Sequence, residues 1–261
     1  VPILNALSQS VGWPHQAEDW AQFLSLGEGL AACAPDGSIL GTAMLWRWSP
    51  RCATIGMVLV APRQQGQGIG RRLMQALLDM VPHSAVRLHA TPAGLGLYES
   101  LGFRSIGHVC QHQGVIDRLA VTADLRRARS GDLGELLALD RAGFGTLRGD
   151  LIERVLTEGE IRVLERDGML CGFAARREFG RGETIGPVVA ENEKEAIALI
   201  AACLRPGFQR IDIPAHATKL AAWLTRAGLA EVDTVTVMTR GVWPPGLGGV
   251  QRFALAGQAL G

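Results

Sequence analysis

The chain is poor in tyrosine, in cysteine pairs and in any bias of charge. Tyr98 is the one tyrosine among 261 residues. Five cysteines, Cys33, Cys52, Cys110, Cys171 and Cys203, are scattered, odd in number and without a C-x-x-C pair. That pattern fits reduced thiols better than a disulfide framework, so a cytoplasmic location is expected. Basic and acidic residues nearly cancel, 26 against 25, for a net charge of +1. Nothing here steers the chain toward nucleic acid or an anionic membrane, and neither partner is expected. No apolar run approaches the roughly 20 residues of a membrane helix. The opening V-P-I-L-N-A-L-S-Q-S lacks the basic region and long apolar core of a signal peptide. Metal ligands are sparse too. His108, Cys110 and His112 alternate and would share one face of a strand, but no fourth ligand is indicated and no metal is expected.

What is present is a large apolar fraction, 48%, with a mean hydropathy of +0.16. The length suits one large domain or two ordinary ones. The most informative stretch runs from Pro62 to Leu78, P-R-Q-Q-G-Q-G-I-G-R-R-L-M-Q-A-L-L. An apolar run, Ile55 to Val60, leads into it. Gly66, Gly68 and Gly70 alternate, and then Leu73, Leu77, Leu78 and Val81 fall on one helical face. A strand, a glycine loop and a helix start in succession form a phosphate cradle. Glycines let successive N–H groups turn inward, and the new helix presents unpaired N–H groups and the positive end of its dipole.

Around this stretch the pattern predicts helices over Val1–Ser10 and Glu18–Leu26, broken by Gly12-Trp13-Pro14. A hairpin follows, Gly29–Cys33 and Ser38–Trp48, turning at Pro35-Asp36-Gly37. Further strands are expected at Ala53–Val60, Ala85–Ala90 and Phe103–Val109, with a short helix Leu95–Leu101 closed by Gly102. The order then repeats at an offset of about 130 residues. G-S-I-L-G-T-A ending at Ala43 matches G-M-L-C-G-F-A ending at Ala174. T-I-G-M-V-L-V-A from Thr54 matches T-I-G-P-V-V-A from Thr184, and Y-E-S-L-G-F from Tyr98 parallels L-T-R-A-G-L from Leu224. Two copies of one fold are inferred, residues 1–118 and 119–261, joined near Leu119–Asp124.

The copies differ in two ways. The second opens with a short strand, Leu125–Arg129. The first begins directly in a helix, so its first strand is either outside the sequence in hand or replaced at that edge. After Ala190 the second copy reads E-N-E-K-E-A-I-A-L-I, with glutamates where the first has its glycine loop. Acids at a helix N-terminus suit the dipole but repel pyrophosphate. The segment Val250–Leu260 is expected to pack back on a domain.

Three kinds of phosphate loop compete. A dinucleotide fingerprint fails because Arg71 stands three after Gly68 and no acid closes the next strand, R-L-H-A-T. A nucleoside-triphosphate loop fails for want of G-K-[ST]. A glycine turn that binds nothing is the remaining bland reading. The flanking residues favour a resemblance. Gln65-Gly66-Gln67-Gly68-Ile69-Gly70 is similar to the Q/R-x-x-G-x-G/A signature of GNAT-type N-acetyltransferases, and Leu59–Pro62 looks like the end of that family's splayed central strand. Thr91-Pro92-Ala93-Gly94-Leu95-Gly96-Leu97-Tyr98 with E-S-L-G-F resembles the family's N-x-x-A-x-x-x-Y segment, with Thr91 for Asn and Gly94 for Ala.

The resemblance implies an α/β fold, a mixed sheet with helices on both faces, in tandem bacterial form with a degenerate C-terminal copy. It implies an acetyl-CoA-dependent N-acetyltransferase acting by direct attack on the primary amine of a small molecule. Backbone N–H groups of Val58, Leu59 and Val60 would hold the pantetheine arm and polarise the thioester. Gln65, Gly66, Gln67, Gly68, Ile69 and Gly70, with Arg71 or Arg72, would hold the pyrophosphate, and Thr91 and Gly94 would border the cofactor. Tyr98 takes the position of the residue that protonates the CoA thiolate. The glutamate many relatives carry on the central strand is missing from T-I-G-M-V-L-V, leaving a water relay, Glu28 or His15 for the base.

Trp13, His15, Glu28 and Trp46 are the candidate substrate-side residues, near Trp20, Phe23 and Trp48. Arg176, Arg177 and His216 of the second copy could reach the pocket. The second copy is expected to complete the pocket or a homodimer. The rival readings are a CoA-binding sensor without turnover and a protein N-terminal or lysine acetyltransferase.

Overall fold

The computed structural model describes residues 1–117 and 125–261. The inferred junction at Leu119–Asp124 lies outside the described residues. The first half runs α1 (Pro2–Ser10), α2 (Ala17–Leu26), β1 (Glu28–Cys33), β2 (Ile39–Ser49), β3 (Cys52–Val60), α3 (Ile69–Asp79), β4 (Ala85–Ala90), α4 (Leu95–Ser100) and β5 (Arg104–Ile116). The second half repeats the order. It runs α5 (Leu133–Phe144), α6 (Gly149–Glu158), β6 (Glu160–Arg166), β7 (Met169–Phe179), β8 (Gly182–Ala190), α7 (Glu193–Cys203), β9 (Gly207–Pro214), α8 (Thr218–Arg226) and β10 (Ala230–Arg240). A final strand, β11, spans Gln251–Ala254.

The turns follow their residues. Asp167 and Gly168 both adopt positive φ, 54° and 75°, as a two-residue hairpin turn requires. The expected strand at Leu125–Arg129 is reduced to a single bridge between Arg127 and Arg162. The expected strand Phe103–Val109 is longer, reaching Ile116, because its second part pairs with β9.

All the strands belong to one mixed sheet, ordered β1-β2-β3-β4-β10-β5-β9-β8-β7-β6, with β11 added on β8. The halves exchange strands at the centre. β10 of the second half lies between β4 and β5 of the first, antiparallel to both. β5 in turn pairs with β9. On one face α3 and α4 cover the first half, where Leu73, Met74, Leu77 and Tyr98 pack on Ile55 and Leu88. Ala196, Leu199, Ile200, Leu220 and Leu224 of α7 and α8 cover the second half. On the other face one core cluster joins Trp20 and Phe23 of α2 with Leu136, Leu151 and Val155 of α5 and α6. The shared central strands and this shared core make the second half a wall of whatever lies beneath the first.

Candidate active site

β3 and β4 are parallel but pair only over Cys52–Thr54 with Ala85–Arg87. Beyond Thr54 they part, and among the described residues the β3 edge toward Val60 has no strand partner on that side. A bulge marks the parting. Thr42 pairs with Leu59 and Met44 with Gly56, so three steps on β3 match two on β2. Met57 sits at the bulge with φ 51°. Gly56 lies against Trp46 and Ala259, where a Cβ would come within 2.9 Å of the Ala259 Cα.

The glycine loop follows. Gln65 Nε2 donates to the Val60 carbonyl at 3.1 Å, tying the loop back to its strand. Gly66 and Gly68 both take φ 76°, the left-handed region glycine enters without penalty. Gly68 caps α3. Among the described residues no side chain caps that helix, and no acid lies in its first turn, so its first N–H groups face out beside an exposed loop. Arg71 reaches across to Ser100 Oγ at 2.7 Å, docking the start of α3 on α4. Arg72 extends past Gly68, its Nη1 4.0 Å from where a Cβ of that glycine would be.

On α4, Tyr98 is buried, with its ring set edge-on to Phe103 at 6.1 Å. Burial raises its phenol to about 12. A Cβ on Gly94 would lie 2.8 Å from the Tyr98 ring, so the glycine makes room for this tyrosine.

Beneath the parted strands lies a cavity of about 260 Å³. The first half lends Trp13, Pro14, His15 and Phe23 from around α2, Gly56 and Met57 from the bulge, and His89 and Thr91 from β4 and its end. Strand exchange brings Gln111 and Gln113 of β5 beside Asp233 of β10 and Arg210 of β9, while Phe179 and Arg181 come from the turn between β7 and β8. That turn is pinned to α2, since Gly180 N donates to Asp19 Oδ2 at 3.0 Å. Gly257, Gln258 and Ala259 form the floor. His15 stands among Trp13, Trp20, Phe23 and Phe179, with centroids 5.5–6.5 Å away. Burial, and secondarily Arg210, lower its pKa to about 4.

Of the four substrate-side candidates, the structure brings Trp13 and His15 into this cavity. Glu28 lies elsewhere, paired with Arg47 at 2.5 Å on the surface. Trp46 is fully buried, its Nε1 donating to the Phe23 carbonyl at 3.1 Å. Neither Arg176 nor Arg177 lines the cavity. Arg176 is held by Glu160 and Glu183, and Arg177 donates to the Ala256 carbonyl at 2.7 Å. His216 is exposed beyond the end of β9. The second half contributes Arg181, Arg210, Phe179 and Asp233 in their place. Along β5, His108 is exposed while His112 is buried with Nδ1 3.0 Å from the Leu229 carbonyl. Among the described residues no cluster of His, Cys, Asp or Glu could hold a metal.

The second half has the same bulge, Ala174 pairing with Val188 and Arg176 with Ile185. Its parted pair, however, is filled. β11 pairs with Val188, Val189 and Ala190, the counterpart of Val58–Val60. Leu255 N donates to the Asp212 carbonyl of β9 at 2.9 Å. The matching helix end is closed as well. Asn192 caps α7 by accepting from Glu195 N at 3.0 Å, and the Glu195 carboxylate accepts from Glu191 N at 3.2 Å.

A tandem mixed-sheet architecture with one open cleft and one filled cleft is thus defined. Two family models, each described as an acetyltransferase (GNAT) domain, match residues 12–118 and 136–247. The uncharacterized N-acetyltransferase YitH of Bacillus subtilis is 30% identical over 98% of this chain and 93% of its own length. A putative acetyltransferase from Pyrococcus horikoshii superposes with a TM-score of 0.80 at 20% identity, covering 99% of this chain and 91% of that one. A tandem GNAT protein from the clavulanic acid biosynthesis pathway gives 0.58 at 14% identity, over 82% of each chain. The chain belongs to the GNAT N-acetyltransferases. As a member it is an acyltransferase, moving an acyl group from an acyl-CoA to an amine.

Proposed function

We propose that the first half binds acetyl-CoA along the open edge of β3 and transfers the acetyl group to the primary amine of a small molecule seated in the cavity below. The observation that carries this reading is the contrast between the two clefts. The β3/β4 cleft is open beside an uncapped helix end and left-handed glycines, whereas the β8/β9 cleft is filled by β11. The residues present suit the cofactor: N–H groups at the start of α3, with Arg72 beside Gly68, favour pyrophosphate. CoA supplies the activated thioester.

The chain does the rest. The free β3 edge offers N–H groups to the thioester oxygen as charge develops there. The cavity receives a neutral amine whose nitrogen forms the new bond to the acyl carbon as the carbon–sulfur bond breaks. The surplus amine proton leaves through water, and Tyr98 donates toward the departing sulfur. A thiol titrates at about 8.5 and this phenol at about 12, so a hydrogen bond that shares the proton costs less than full transfer. A cavity of about 260 Å³ suits a small acceptor better than a polypeptide.

The test is release of CoA thiol from acetyl-CoA across a panel of primary amines and N-terminal peptides. Turnover with small amines is expected. Tight CoA binding without release from any acceptor would favour a sensor, and turnover confined to peptides a protein acetyltransferase.

A further inference from the structure

His89 stands two residues beyond Arg87, the last residue of β4 paired with β3. Continuing that register sets it level with Gly56, where the two strands part. Its neighbours Leu88 and Ala90 pack into the α3 core, so the imidazole turns to the opposite face and lines the cavity. Its Nδ1 lies 2.7 Å from the Gln258 carbonyl oxygen. A carbonyl only accepts, so Nδ1 carries the proton and Nε2 presents a lone pair. Nε2 is buried and has no hydrogen-bond partner among the described residues. Buried polar atoms are nearly always satisfied, so an acceptor of this kind in a cavity wall calls for a donor from the cavity's occupant. Burial first, then Arg252 and Arg87, hold the ring's pKa down at about 3, so it stays neutral and accepting at every working pH. The same two arginines disfavour an ammonium close by.

Resting on the acyl-transfer reading above, we propose that His89 Nε2 accepts a hydrogen bond from the N–H of the acceptor amine. This orients the amine, with its lone pair free to meet the acyl carbon at the β3 bulge. His15, the other histidine of the cavity, also has a buried nitrogen, Nδ1, with no partner among the described residues, but its ring is enclosed by Trp13, Trp20, Phe23 and Phe179 and is not on β4 beside the parting.

The probe is aniline, a small planar amine that is neutral at pH 7. In full-length protein labelled with ¹⁵N-histidine and saturated with CoA, the His89 Nε2 resonance, identified by its loss in His89→Asn, should start at the unprotonated position. It should move toward the protonated side as aniline is added. Asparagine can keep the hydrogen bond to Gln258 but lacks the second nitrogen, whereas glutamine can place an acceptor near the Nε2 position. With aniline and acetyl-CoA, His89→Asn should therefore lose about 10–100-fold in kcat/KM for aniline with the acetyl-CoA KM unchanged. His89→Gln should recover part of that loss. An Nε2 that carries a proton, a resonance that aniline does not move, or equal losses in both variants would overturn the proposal. A wild-type protein that shifts the resonance yet transfers no acetyl group to any amine would instead sink the acyl-transfer reading and leave the His89 contact standing.

Discussion

In the proposed reaction Tyr98 acts through a single hydroxyl. Tyr98→Phe keeps the ring that packs on Phe103 and over Gly94 and removes only the donor. Turnover should fall about 100–1,000-fold, with acetyl-CoA affinity by calorimetry nearly unchanged. Because burial holds the phenol near 12, the kcat profile should show no basic limb from Tyr98 below about pH 10. A limb at pH 8–9 that disappears in the phenylalanine variant would contradict the assignment. His15 and His89 carry the acid side. Their folded pKa values, about 4 and about 3, lie below the unfolded value near 6.5. Between those limits the unfolded chain binds more protons, so their contribution is complete above pH 6.5 and is lost as pH falls through 4 and 3. Asp19, whose carboxyl is pushed up by burial, works in the opposite sense at the acid end. Melting curves from pH 7 to 4.5 should show stability falling, with a shallower slope in His89→Asn. The places of Tyr98 on α4 and of His15 among aromatic rings were legible in the sequence, because motif spacing and a local aromatic cluster mark them. His89 was not. One histidine in R-L-H-A-T says nothing until β3 and β4 part beside it and the Gln258 carbonyl fixes its tautomer.

At the scale of elements, the two halves show one cleft left open and one closed. Gly68→Asp would force a side chain into a left-handed position, φ 76°, and set a carboxylate at the N–H groups of α3. CoA binding should fall below detection in calorimetry while the fold, read by circular dichroism, persists. In the second half a Cβ at Gly186 would stand 1.7 Å from the Leu255 carbonyl oxygen. Gly186→Ala should push β11 off β8 and cost about 2–4 kcal/mol, a fall in Tm of roughly 5–15 °C. The helices, the hairpin turns and the glycine loop could be read in advance because their signals are local: apolar periodicity, Asp-Gly turns, a glycine cap. The glutamates of α7 likewise announced a helix end unsuited to pyrophosphate, and Asn192 and Glu195 now accept from N–H groups there. The pairing of β11 could not be read. Its four residues carry no pattern that names β8 as partner.

At the scale of the whole molecule, strand exchange makes the halves interdependent. β10 lies between β4 and β5, and the cavity takes walls from both halves. A fragment of residues 1–118 would leave β4 and β5 with bare edges where β10 belongs, the condition that drives aggregation. It should be insoluble or unfolded alone, by circular dichroism and sedimentation, and be rescued by co-expression with residues 119–261. The internal repeat revealed two copies of a fold. The exchange stayed hidden because it depends on which distant strand edges meet, and no local residue pattern encodes that. The central claim is that one cleft is open for acyl-CoA and its twin is occupied by the chain itself. Isothermal titration of the full-length protein with CoA tests it most directly. One CoA per chain, lost in Gly68→Asp and kept in Tyr98→Phe, is the predicted result. Two per chain, or one that survives Gly68→Asp, would contradict it.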